Sequence, residues 1–177
     1  MPKEQYVIEI DAPAEKVFAH MDRIENVGWH MSGRGERGEG GIGAMPLMGG
    51  RLELRIIDGR RGAGATYRWS GKVMGMEIDI SETVSRWVEN REKVWHTIGR
   101  PRMIVMSGYV MRLFVSPIGG GRTKVLFEIE YTLPSTPWGR VAGWLLAPRY
   151  ARWCLRRACE DAKAALEKGK KSDSNTA

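Results

Sequence analysis

The stretch RTKVLFEIEYTLPSTPWGRVAG, residues 122–143, decides the fold. Its first half alternates: Val125, Phe127, Ile129, Tyr131 and Leu133 share one parity, while Lys124, Glu128 and Glu130 take the other. That period of two predicts a half-buried β-strand. Thr136-Pro137 then opens a helix, because proline suits a first helical position, where its missing N–H costs nothing. The apolar positions switch to a spacing of three and four at Trp138, Val141, Ala142, Leu145, Ala151, Leu155, Ala158, Cys159, Ala162 and Leu166. A strand feeding a helix of ~30 residues, ~45 Å long at 1.5 Å per residue, puts a rod across a whole sheet. Pro148 lies inside this helix and is expected to kink or break it.

Working backwards from residue 122, the chain is a series of strands. Met103–Ser116 reads as one long strand, apolar on both parities, with Gly99-Arg100-Pro101 as the turn before it and residues 93–98 as the strand before that. Ile78, Ile80 and Val84 alternate with polar neighbours, as do Ala65, Tyr67, Trp69 and Val73, and Leu52, Leu54 and Ile56. Tyr6, Ile8 and Ile10 make a first strand, followed by two short helices: Pro13 and Glu15 start one, and Ile24 and Val27 lie on the other. Seven strands with mostly hairpin-length links predict an antiparallel sheet. The whole reads as one α+β domain over residues 1–168, with 169–177 (GKKSDSNTA) an unstructured tail. The helix must lie on the concave face, where both elements can cover their apolar sides.

Composition agrees. The chain has 177 residues, 42% hydrophobic and 28% charged, which excludes a disordered or fibrous chain. The longest apolar run, Val141 to Pro148, is far short of the ~20 residues of a membrane span. No basic-then-apolar leader opens the sequence, so a cytoplasmic protein is expected. Cys154 and Cys159, five apart on one helix, cannot bridge within it, which suits a reducing compartment. The net charge of +7 is concentrated on the terminal helix and tail without a recognition motif, so no nucleic-acid partner is expected.

The segments YVIEIDAPAEKVFAHMDRIEN (6–26), GATYRWSGKV (64–73), ISETVSRW (80–87) and the opening stretch resemble the helix-grip superfamily of START domains, polyketide cyclases/dehydrases and coenzyme Q-binding proteins. The resemblance covers about residues 5–168. It implies an apolar cavity between helix and sheet that holds a hydrophobic molecule, and it implies no shared catalytic constellation.

The residues themselves make a cavity plausible. Ten methionines and seven tryptophans suit an adaptable lining better than a solid aliphatic core. Tyr67, Trp69, Tyr109, Met111, Phe127 and Tyr131 are the candidate ligand-binding residues on strands, and Trp138 and Leu145 face them from the helix. The bland alternative is that they simply fill a core.

Catalytic and cofactor signatures are weak. His20, His30 and His96 sit on different elements without metal-ligand spacing, so neither metal nor cofactor is expected. Gly33-x-Gly35-x-x-Gly38 matches a dinucleotide fingerprint in letters only, since no strand–turn–helix surrounds it. The segment 31–50, with eight glycines, reads as a loop and a candidate lid. The carboxylate pairs Glu77/Asp79 and Glu128/Glu130 should face solvent, and an exposed stripe is preferred over an inward role for Arg68, Arg86 and Arg112. Trp144, Leu146 and Tyr150, beside Arg140, Arg149 and Arg152, would suit a transient membrane-surface or partner contact.

Three readings follow. The first is binding, transport or presentation of a lipid, isoprenoid or polyketide. The second is a cyclase- or dehydratase-like enzyme acting in the same cavity, which a polar residue inside would favour. The third is a regulatory or chaperone-like module. The oligomeric state stays open between monomer and homodimer.

Overall fold

The computed structural model describes residues 1–27, 50–73 and 75–173. The chain runs β1 (Lys3–Ile10), α1 (Ala14–Met21), α2 (Ile24–Val27), β2 (Gly50–Asp58), β3 (Thr66–Val73), β4 (Met76–Val88), β5 (Glu92–Arg102), β6 (Gly108–Gly119), β7 (Arg122–Thr132) and α3 (Pro137–Asp173). Its seven strands form one sheet in the order β1-β7-β6-β5-β4-β3-β2, with every neighbouring pair antiparallel. This is the helix-grip architecture.

Strand parity places the core. Tyr67 and Trp69 on β3, Ile78, Ile80 and Val84 on β4, Trp95 on β5, Leu113 and Val115 on β6, and Val125, Phe127 and Tyr131 on β7 are all buried on one face. On α3 the buried stripe is Ala147, Ala151, Leu155, Ala158, Cys159 and Ala162. Its small side chains bring the helix close to its neighbours. Those neighbours are β1, β7 and the two short helices. The helix therefore grips one half of the sheet and stands off the other, and open space lies in between.

Two expectations are corrected here. Gly99-Arg100-Pro101 is not a turn: β5 runs on to Arg102, and the extra residues form a bulge, since Ser81 faces Ile98 while Asp79 faces Arg102. Gly99, at φ 71°, supplies the left-handed backbone this needs. The strand expected from Met103 begins only at Gly108. Met103–Ser107 is a connection whose Val105 and Met106 are buried, which explains why that stretch is apolar on both parities.

α3 continues through Pro148 without a break and runs on through residues 169–173, which the sequence suggested were tail. Next to the proline, the Arg149 guanidinium donates to the Leu145 carbonyl at 2.9 Å. Gly143 sets how closely α3 crosses the 103–107 connection. A Cβ there would sit 2.8 Å from the Val105 carbonyl oxygen.

The glycine-rich fingerprint, His30 and the candidate lid lie outside the described residues, apart from Gly50, which opens β2. No described helix is long and apolar enough to cross a membrane.

Candidate functional site

Where α3 stands off the sheet there is a cavity of about 270 Å³. Ile78 and Ile80 of β4, Trp95 of β5, Met111 of β6, and Phe127 and Ile129 of β7 form its wall. Leu52 of β2 and Val73 of β3 also reach it, so the sheet curls around the space. Met103–Met106 and the α2 residues Ile24 and Val27 close its ends. From α3 come Leu146, Arg149, Tyr150 and Cys154. Leu146 and Arg149 are also exposed, and mark where the cavity meets the surface.

One ionisable carboxyl group lines this space among the described residues: Glu82, 2% exposed. Its Oε1 accepts a hydrogen bond from the Tyr109 hydroxyl at 2.5 Å, across the intervening strand, and its Oε2 accepts one from the Trp69 indole N–H at 3.0 Å. Burial pushes the Glu82 carboxyl above the usual carboxylate range, and these donors together with the charge of Lys93 only partly oppose it. The same burial, with Glu82 beside it, raises the Tyr109 hydroxyl well above its ordinary value. Both groups thus bind their protons more tightly than they would in water, and a carboxyl that keeps its proton can act as hydrogen-bond donor or general acid.

A second buried cluster lies beside the first. Asp22 closes α1 and is fully buried; Lys93 of β5, 1% exposed, sits 3.1 Å from its Oδ1. Lys93 also donates to the Asp22 backbone carbonyl, Arg61 donates to Oδ2 at 2.6 Å, and the Trp87 indole donates to Oδ1 at 3.2 Å. The lysine ammonium lies 5.3 Å from the ring centre of Trp95 and 5.5 Å from that of Tyr67. Burial acts to raise the Asp22 carboxyl, but the Lys93 charge and the donors from Arg61, Lys93 and Trp87 outweigh it and hold the group low. Burial pulls Lys93 below the ordinary lysine range, against the pull of Asp22. This cluster ties the end of α1 to the sheet.

Of the residues chosen from sequence, the fold brings Tyr109, Met111 and Phe127 together at the cavity. Trp69 stands behind it, holding Glu82. Tyr67 packs on Lys93 and donates its hydroxyl to the Arg60 carbonyl at 3.2 Å; burial pushes that hydroxyl up to about 12. Tyr131 is fully buried away from the cavity, and its hydroxyl has no hydrogen-bond partner among the described residues. Trp138 and Leu145 point outward, at 86% and 47% exposure. Leu145 is 100° around the helix from Leu146, and the cavity-facing positions are 146, 150 and 154. A helix that is apolar nearly all round hides its phase from a sequence reading.

Glu82, Asp22 and Lys93 are the residues that sequence reasoning missed. Their signal was parity: Glu82 lies between Ile80 and Val84 on the inward register, and Lys93 lies two before Trp95. The carboxylates that did attract attention are on the outer face. Glu77 pairs with Arg102, Asp79 with Arg68, Glu130 with Arg112 and Glu128 with Lys3, and Glu128 is largely covered. Arg86 pairs with Glu92, so Arg68, Arg86 and Arg112 all serve the outside. Burial pushes the Cys154 and Cys159 thiols up to about 12, which keeps them unreactive. No group of three metal-binding side chains occurs among the described residues.

The fold and this cavity match a known class. The sequence profile of the polyketide cyclase/dehydrase and lipid transport family matches residues 1–167, and the chain belongs to that family. No curated protein matches the sequence. Among solved structures, a protein of Thermus thermophilus is similar at a TM-score of 0.62 and 18% identity, covering 93% of this chain and 99% of that one. A START superfamily protein of Mycobacterium smegmatis is similar at 0.60 and 14% identity, covering 94% and 97%. The Zhui aromatase/cyclase of Streptomyces sp. R1128 is similar at 0.54 and 12% identity, covering 93% and 87%. At such identities these likenesses establish the fold alone.

Proposed function

We propose that the protein binds a hydrophobic small molecule of lipid, isoprenoid or polyketide character in the cavity under α3, for carriage or presentation. The observation that carries this reading is the apolar space of about 270 Å³, open to the surface beside α3, whose wall is built from six strands and the helix. That volume is at the small end of ligand sites, so the guest is compact or is one end of a longer chain. Burying about 200 Å² of apolar ligand surface returns about 5 kcal/mol before association costs of similar size, which points to modest affinity. The test is native mass spectrometry of protein purified from cells, followed by titration with N-phenyl-1-naphthylamine. A co-purifying apolar molecule and saturable one-to-one probe uptake are expected. An empty protein that takes up no probe would overturn the reading.

Glu82 and Tyr109 favour a second reading, a cyclase- or dehydratase-like reaction in the same space, with Glu82 as proton donor. Its test is incubation of the extracted ligand with wild-type protein and Glu82→Gln. A product lacking one water, formed only by the wild type, supports it; identical mixtures refute it.

The exposed start of α3 supports loading from an anionic membrane surface, in a cytoplasmic protein with two unbridged thiols. Trp138, Val141, Trp144, Leu145 and Leu146 are all exposed, and Leu146 also lines the cavity. Residues 131–159 contain five arginines and no acidic residue. Arg152, Arg156 and Arg157 pair with Glu4, Glu160 and Asp161, while among the described residues Arg140 and Arg149 form no ion pair and remain for phosphate groups.

A further inference from the structure

We propose that the Glu82–Tyr109 pair is the polar anchor of the cavity and selects, among apolar molecules that fit, those carrying an uncharged oxygen acceptor such as a ketone or ester. The inference rests on the binding reading above and adds a ligand class to it.

Protons decide the preference. The hydrogen bonds made to Glu82 come from donors: Tyr109 reaches one oxygen and Trp69 the other. An indole offers only a donor, and a tyrosine hydroxyl has a single proton. With Glu82 protonated, the carboxyl and the hydroxyl hold two protons between them and share one hydrogen bond. One O–H is therefore left over, and both residues line the cavity. A buried donor without an acceptor costs about 1–3 kcal/mol, so a guest that brings an acceptor oxygen to this end is favoured over its hydrocarbon counterpart.

The surroundings favour the protonated carboxyl. Burial is the dominant influence. From β5, Lys93 pulls toward ionisation, but it lies against Asp22 at the end of α1 and is also influenced by Glu25 of α2. β3 contributes Trp69 and the neutral Tyr67, and β6 contributes Tyr109. From α3 come Tyr150 and Cys154, both kept protonated, and Arg149 at the mouth. No described group forms an ion pair with Glu82. Ionised, the carboxylate would accept from all its partners and repel a ligand oxygen.

The experiment compares two probes of one shape, 2-acetylnaphthalene and 2-ethylnaphthalene, by calorimetry at pH 6 and pH 9 with wild-type protein and Glu82→Gln. The wild type is expected to bind the ketone about three- to tenfold more tightly at pH 6 and to lose part of that preference at pH 9. Glu82→Gln, whose amide donates at every pH, should keep the preference at both. Equal binding of the two probes by the wild type at pH 6, or the same loss in Glu82→Gln, overturns the anchor and leaves the cavity intact. Binding of neither probe overturns the cavity reading itself. Infrared difference spectra of the wild type are an independent check: a carboxylic-acid C=O stretch at pH 6 that shifts when the ketone binds is expected, and its absence contradicts the anchor.

Discussion

Two buried polar clusters face the same side of the sheet, and they differ in how their charge is met. Asp22 and Lys93 are opposite charges in contact, with Arg61, Trp87, Tyr67 and Trp95 packed around them. Glu82 has donors but no ion-pair partner among the described residues, and it opens on empty space. A buried charge that is paired and surrounded by side chains serves the fold. A buried acid without an ion pair, whose protonated form burial favours, is available to a guest at the wall of a cavity. The contrast separates scaffold from site without appeal to any relative.

The sharpest way to break the contrast is Lys93→Ala. It leaves the fully buried Asp22 with only the half-exposed Arg61 as counter-charge, and a stability loss of about 3 kcal/mol or more is expected in urea unfolding. A loss under 1 kcal/mol would show that the cluster does not hold α1 to the sheet. Next in size, Cys154→Phe puts a ring into the cavity from α3. Uptake of N-phenyl-1-naphthylamine should fall at least tenfold, while overpacking costs about 1–3 kcal/mol. Retained uptake by a folded variant would place the guest elsewhere.

Glu82→Gln separates the clusters by pH. A carboxyl raised in the folded state binds its proton more tightly there than in the unfolded chain. Its contribution is therefore complete below the unfolded value near ~4.3 and is lost as pH rises toward the folded value. The wild type should lose stability over that window more steeply than Glu82→Gln, as read from melting temperatures across pH; parallel curves would contradict a neutral Glu82. The smallest effect on the fold is expected from Trp138→Ala with Trp144→Ala, two exposed side chains: stability within about 0.5 kcal/mol. Binding to vesicles of phosphatidylcholine with phosphatidylglycerol should fall severalfold in co-sedimentation. Unchanged binding would remove this face from the membrane contact.

The strands were legible in the sequence because a sheet with one buried face writes its period plainly, as Val125, Phe127, Ile129 and Tyr131 do. The limits of α3 and its cavity-facing side were not. Trp138 and Leu145 belong to a helix start that is apolar nearly all round, so nothing in the spacing singles out Leu146, Tyr150 and Cys154. Met103–Met106 misled for a related reason: a connection buried over a cavity end is as apolar as a two-sided strand. Glu82 could have been found. It occupies an inward position between Ile80 and Val84, but an isolated acid is easily passed over in a search for paired carboxylates. Its role depends on Tyr109 and Trp69, which only the folded sheet brings to it.

Xenon enters dry apolar cavities, so it reports whether the space under α3 is hollow and apolar. In a xenon-pressurised crystal, xenon is expected among Ile80, Met111, Ile129 and Tyr150. Side chains filling that volume, with no xenon between helix and sheet, would contradict the account.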